Sequence, residues 1–273
     1  MDVQGLLIQL VAGTIIGFTI GLTGIGGGVL VMPTLTILLG MPPSIAVGTA
    51  SFYSLLTKVY AVIEHKKIGN IDFHLSWKFL LGAVPANLLV SLLISQLAVN
   101  LADNLEGLQR FQDVLALVIG IVLIGAVVSI VLPLIRPKRN NLEQLQDLDV
   151  IPPGSSIPLV QPVSFGVLVG ALIGATSVGG GVIIVPILLS VFKLSTSKTV
   201  GTSIFIGVVL VLVTSIVYGS SGQLSWQTGL IMAVGSVVGV YFGARLTKKV
   251  PEKAMKVVLA GLVLFAAAAM IFR

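Results

Sequence analysis

Apolar residues run along this chain in long, nearly unbroken blocks, and polar residues are confined to the gaps between them. The blocks lie at about 5–23, 29–40, 45–63, 76–98 and 111–135, then at about 162–177, 182–193, 198–218, 227–247 and 254–272. Several reach the roughly 18 to 20 residues that cross a bilayer as an α-helix. None alternates apolar and polar residues as the strands of a membrane barrel do. The pattern predicts an all-α polytopic membrane protein.

The blocks are two copies of one unit. Gly26-Gly27-Gly28-Val29 returns 153 residues later as Gly179-Gly180-Gly181-Val182, and Pro33 returns as Pro186. At the same offset Ser44 returns as Ser197, Val47-Gly48-Thr49 as Val200-Gly201-Thr202, and Phe52 as Phe205. A polar linker, residues 136–161, separates a first transmembrane repeat (1–135) from a second (162–273). The first copy holds about nine extra residues around 99–110, read as a loop without a counterpart. A duplicated hydrophobic unit broken by glycines points to a secondary transporter, with its site where the broken segments meet.

Blocks 29–40 and 182–193 are too short to span. Twelve residues of helix reach about 18 Å, against a hydrocarbon core of about 30 Å. Each follows a glycine triplet, so 5–40 is either one broken crossing or a hairpin returning to its own side. Charge decides. With hairpins, thirteen of the 16 Lys and Arg residues share one side, including Lys66, Lys67, Lys138 and Lys248. Only Arg110 and Arg273 then face the other side, and Lys58 lies within a span. A single crossing splits the same residues almost evenly. The positive-inside rule selects the hairpins, with both termini outside and the linker cytoplasmic. Each repeat then has an odd number of crossings, so the two are inverted: a glycine-broken helical hairpin plus three transmembrane helices in each. Charge leaves open whether the tips are re-entrant or cross fully.

Composition narrows the chemistry. Charged residues make up 10% of the chain and mean hydropathy is +1.10, too little polarity for a water-facing surface. The net charge of +6 therefore marks a cytoplasmic face and not affinity for nucleic acid. There is no cysteine, so thiol chemistry is excluded. Met1-Asp2-Val3-Gln4 lacks the basic start of a signal peptide, and the first block is read as part of the fold. No Asp or Glu sits deep in a block, which argues against a cationic substrate. With no nucleotide-binding loop and no nucleophile paired to a base, neither an enzyme nor a primary pump is expected. The chain calls for no cofactor and no metal.

The candidate site is built from Thr23, Gly26, Gly27 and Gly28 of one triplet region and Thr176, Ser177, Gly179, Gly180 and Gly181 of the other. A helix starting after each triplet has unpaired backbone N–H groups and a positive dipole end, which together attract an anion. Two such ends could hold a small oxyanion without a full charge, loosely enough for release. Thr49 and Ser51, with Thr202 and Ser203, add hydroxyls beside the hairpins; these either donate to an anion or bond the carbonyl one turn back. Pro33 and Pro186 are read as helix breakers. Gly13, Gly17 and Gly21, and Gly166, Gly170 and Gly174, have the four-residue spacing of close helix packing. Lys58 is expected to snorkel to the cytoplasmic end of its span. Trp77 and Trp226 suit an interfacial belt, Asn87 can hydrogen-bond across helices, and His65 and His74 are read as loop residues.

Gly21-Leu22-Thr23-Gly24-Ile25-Gly26-Gly27-Gly28 with Pro33 and Gly48-Thr49, together with its second copy through Pro186 and Gly201-Thr202-Ser203, resembles the TauE/SafE sulfite exporter family, the TSUP superfamily of anion permeases. The likeness covers essentially the whole chain. It implies a permease moving sulfite, an organosulfonate or a related organic anion across the bacterial inner membrane by alternating access. Partners are then a small anionic substrate and the lipid bilayer, with protons as a candidate coupling ion. A passive anion channel and a non-transporting membrane assembly partner are the alternative readings.

Overall fold

A computed structural model describes residues 3–23, 28–135, 158–178, 181–246 and 252–271. Every regular element among them is helical. The first repeat holds α1 (Val3–Thr23), α2 (Gly28–Pro33) running into a π-turn at Thr34–Leu38, α3 (Pro43–Lys67), α4 (Phe73–Asn100) and α5 (Leu105–Ile135). The second holds α6 (Val160–Thr176), α7 (Ile184–Ser190), α8 (Thr196–Ser220), α9 (Trp226–Leu246) and α10 (Glu252–Ile271). Pro43–Lys67, Phe73–Asn100, Leu105–Val128 and Ser197–Ser220 are long and apolar enough to cross a membrane; Gln4–Ile20, Val29–Leu38, Val160–Thr176 and Trp226–Phe242 are shorter apolar helices.

Solvent polarity is inverted in α4. Ser76, Asn87, Ser91 and Ser95 are buried, while Leu81, Leu89 and Leu93 on the same helix are exposed. On α1 the exposed side chains include Leu7, Val11 and Ile15, one turn apart. Such an arrangement fits lipid outside and hydrogen-bonded polar contacts between helices.

The duplication is visible in the contacts. Gly13 and Gly17 of α1 lie against Met232 and Ser236 of α9, and Gly166 and Gly170 of α6 lie against Phe79 and Ala83 of α4. Each pair is the other shifted by 153 residues with the repeats exchanged. The rings of Phe52 and Trp226 meet edge to face at 4.8 Å, and those of Phe205 and Phe73 at 5.3 Å. The backbone repeats too: Gly69 and Gly222 share a φ of 71°, and Gly40 (63°) has as its counterpart Lys193 (49°).

Direction follows from register. Gly13 and Gly17 meet Met232 and Ser236 in the same order, so α1 and α9 run parallel. α3 is parallel to α9 as well, through Thr49–Ser225, Phe52–Trp226 and Tyr53–Ser236. α1 and α3 therefore share a direction, and the chain must turn back between them. α3 and α8 run oppositely, because Gly48 near the start of α3 meets Tyr218 and Gln223 at the end of α8, while Gly201 near the start of α8 meets Asn70 just beyond α3.

Buried side chains form two cores. One is built from α1, α2, α3, α5, α9 and α10 with Val178, Val182 and the end of α8 at Val217 and Tyr218, the other from α4, α6, α7 and the middle of α8. Neither belongs to a single repeat.

Four expectations are corrected. The extra residues around 99–110 do not form a long loop: α4 continues to Asn100 and α5 starts at Leu105, so they lengthen two helices. His65 lies in the last turn of α3 and His74 in the first turn of α4, not in loops. Pro33 is the last residue of α2; it lacks an N–H, and the following turn widens to a π-turn. Pro186 falls in the first turn of α7, where a missing N–H costs nothing.

Candidate functional site

The tip of the second hairpin is held by its own side chains. Thr176 donates its hydroxyl to Leu172 O (2.7 Å) and accepts from the Val178 N–H (3.1 Å). Ser177 adopts a left-handed conformation at φ 55°, and its N–H closes α6 on Ile173 O at 2.8 Å. Thr176, Ser177 and Val178 are all buried. Irregular backbone at membrane depth has to be shielded by protein in this way.

Across from the tip lies α3. Ser51 Oγ donates to Ser177 Oγ at 2.9 Å, joining residues 126 apart from different repeats. Ser51 is the ninth residue of α3 and so sits about 12 Å along it. Whichever hydroxyl donates in this bond, the other keeps a proton for a third group. Ser177 is also strained: a non-glycine residue in the left-handed region costs roughly 1–2 kcal/mol. Ser177→Gly is therefore expected to preserve or raise thermal stability, and Ser177→Val to lower it, in melting curves of the detergent-solubilised protein.

The other hydroxyls face different tasks. Thr49 donates to Ile45 O (2.8 Å) and accepts from the N–H of Ser225 (3.0 Å), the residue before α9. Thr202 accepts from the N–H of Asp72 (2.9 Å), the residue before α4. These are equivalent contacts, in which each repeat holds the start of a helix in the other. Thr49, having given its proton to Ile45, has none for an anion in this conformation. Ser203 bonds back to Val200 O at 2.9 Å.

Of the triplets, Gly28 begins α2 and Gly181 stands in the turn before α7, three residues short of Ile184. Gly26, Gly27, Gly179 and Gly180 lie outside the described residues, as does the linker from 136 to 157; of Thr23, only its place at the end of α1 is described. Among the described residues no group of three His, Asp or Glu could hold a metal ion.

Polar contacts between the repeats go beyond the residues singled out in the sequence. Asn87 Nδ2 donates to Gly170 O (3.2 Å) and Thr214 Oγ1 (3.0 Å), so Asn87 does bond across helices. Tyr53 OH donates to Ser236 Oγ at 2.8 Å, and Tyr218 OH to Gly174 O at 3.1 Å. No repeat signal marks the tyrosines, since Tyr53 pairs with Ile206 in the other copy and Tyr218 with His65.

This architecture can be set beside known proteins. The profile of the family described as "Sulfite exporter TauE/SafE" matches residues 9–270. The chain belongs to that family. Among curated TauE/SafE-like relatives, the probable membrane transporter protein YjnA of Bacillus subtilis is 28% identical over 92% of this chain and 94% of its own length. A probable membrane transporter protein of Methanocaldococcus jannaschii is 27% identical over 93% of this chain and 91% of its own. Bacillus subtilis YunE, also named a probable membrane transporter, is 23% identical over 93% and 92%. No solved structure matches. The chain is thus a multi-pass membrane protein of a transporter family.

Proposed function

We propose that this chain is a secondary transporter for a small, sulfur-containing anion such as sulfite or an organosulfonate, binding it beside the two hairpin tips and working by alternating access. The observation that carries the reading is the Ser51–Ser177 contact: a non-helical tip from one repeat, buried against a spanning helix of the other, where hydroxyls rather than carboxylates meet. Donors without full charge suit an anion that must also leave. The family match supports transport as the activity.

The repeats are inverted across the bilayer in this reading. It is supported by the reciprocal contacts and by the opposed course of α3 and α8, which occupy equivalent places in the two copies. The basic residues put the linker in the cytoplasm and both termini outside. The two tips are re-entrant and enter from opposite faces. The bodies that move are the two cores, each built from both repeats, and α3 and α8 form the surface on which they rock. A protonatable anion carries its own proton, so proton coupling needs no carboxylate in the membrane.

The test is flux of radiolabelled sulfite, taurine and other small sulfonates into proteoliposomes holding the full chain, with and without a pH gradient. Saturable uptake with acceleration by substrate on the far side is expected. Flux that never saturates would mean a channel, and no anion flux at all would refute transport.

A further inference from the structure

Lys58 lies outside everything described so far. It is the sixteenth of the 25 residues of α3, so reaching the helix end at Lys67 means covering about two and a half turns. The apolar block ends sooner, at residue 63, about one and a half turns beyond Lys58. That depth is within reach of a long side chain, so the surroundings of Lys58 decide its role. Lys58 also stands about midway between the two places where the α3 and α8 chains meet, at Gly48 and at Asn70. Its counterpart in α8 is Val211, which is buried. Of two equivalent central positions, one carries a charge.

Beside apolar Leu55, Ala61 and Val62, the helix face of Lys58 carries two serines on its N-terminal side. Ser51, Ser54 and Lys58 stand at i, i+3 and i+7, on one side of α3. Ser51 touches the tip of the second hairpin. Ser54 is 1% exposed, and its hydroxyl has no hydrogen-bond partner. Other hydroxyls here take the carbonyl one turn back, as Thr49, Thr57 and Thr214 do. Ser54 does not, and a buried hydroxyl left unmade is costly. His65, a further i+7 along this face, likewise has a buried, unpartnered Nδ1. No ion pair joins Lys58 to any described residue. A cation and a hydroxyl proton on one face, neither committed to a protein acceptor, are what a small oxyanion binds.

We propose that Ser54 and Lys58 form a second anion-binding station, one to two turns along α3 from the hairpin tip, to which the permeating oxyanion passes from Ser51 and Ser177. The station rests on the anion-transport reading above. It adds a fixed charge to the pathway, displaced toward the basic end of α3.

The experiment measures sulfite exchange kinetics in proteoliposomes for the full chain and for Lys58→Gln, Lys58→Arg, Ser54→Ala and the double variant Lys58→Val/Val211→Lys. Losing a charge-assisted hydrogen bond is expected to raise the sulfite KM of Lys58→Gln about tenfold or more. Lys58→Arg should keep it within about threefold, and Ser54→Ala should raise it about threefold or more. Moving the charge to position 211, across the centre, should restore part of the flux lost in Lys58→Gln; a lysine serving only as a membrane anchor predicts no such rescue. If wild type exchanges sulfite and Lys58→Gln does so with unchanged KM, the station is refuted and the transporter reading stands. If Lys58→Gln fails to fold, Ser54→Ala decides, and an unchanged KM refutes the station. If wild type moves none of the anions tested, the transporter reading falls and the station falls with it.

Discussion

Gly170→Val is expected to abolish the folded protein, seen as loss of the monodisperse peak when detergent extracts are run on a sizing column. A Cβ at Gly170 would strike the carbonyl oxygen of Ala83 and lie 2.7 Å from its Cα and carbonyl carbon. All three are backbone atoms of α4 and cannot rotate away. Overpacking usually costs about 1–3 kcal/mol when side chains can shift; here two helices must separate, and a cost of about 3 kcal/mol or more is expected. Gly17→Val should behave alike, since its Cβ would lie 2.6 Å from Ser236 Cα in the equivalent pair. Gly125→Val in α5 is the control: nothing lies within 4 Å of its Cβ, so its effect should stay within about 0.5 kcal/mol. A stable Gly170→Val protein would contradict the α4–α6 packing.

Asn87→Ala should be the next most damaging single change described, at about 1–3 kcal/mol. Asn87 and Thr214 are both fully buried and exchange hydrogen bonds at 3.0 and 3.1 Å, and Asn87 also satisfies Gly170 O. Truncation leaves that carbonyl without the amide that Asn87 gives it. In Thr214→Val the Asn87 amide keeps its bond to Gly170 O, so that change should cost less. Because the two residues share one network, the double variant should lose less than the sum of the singles, with a coupling of about 0.5 kcal/mol or more in thermal melts. Strict additivity would show that the pair does not act as a unit.

Much of this fold could be read from the residues alone, for a physical reason. The bilayer imposes apolar blocks of fixed length, and duplication prints the same glycines and prolines twice. Hydropathy was less informative where helices leave the membrane. Glu64-His65-Lys66-Lys67 reads as the edge of a span, yet α3 continues through all four, so the helix outlasts its apolar block. The stretch around 99–110 reads as a loop for the same reason, yet most of it is helix. Partner choice was also hidden, since an apolar helix face looks the same whether it meets lipid or another helix. Only the glycine rows on α1 and α6 gave a hint, and those rows do lie against the partner backbones. At the site, Ser51 and Ser177 were nameable as hydroxyls beside the hairpins. That they touch each other, and that Ser54 has no partner, depends on how the helices cross.

The exchange of helices between copies has a consequence for synthesis. α1 finds its partner backbone at Met232, about 220 residues further along the chain. At 5–20 residues per second, that is a wait of roughly 10–45 s after α1 leaves the ribosome. Throughout that interval its glycine row faces lipid or the insertion machinery. α4 waits far less, because α6 follows directly after the linker. A ribosome stalled after the first repeat would leave a nascent chain with half of each buried face unfilled, a ready substrate for membrane quality control.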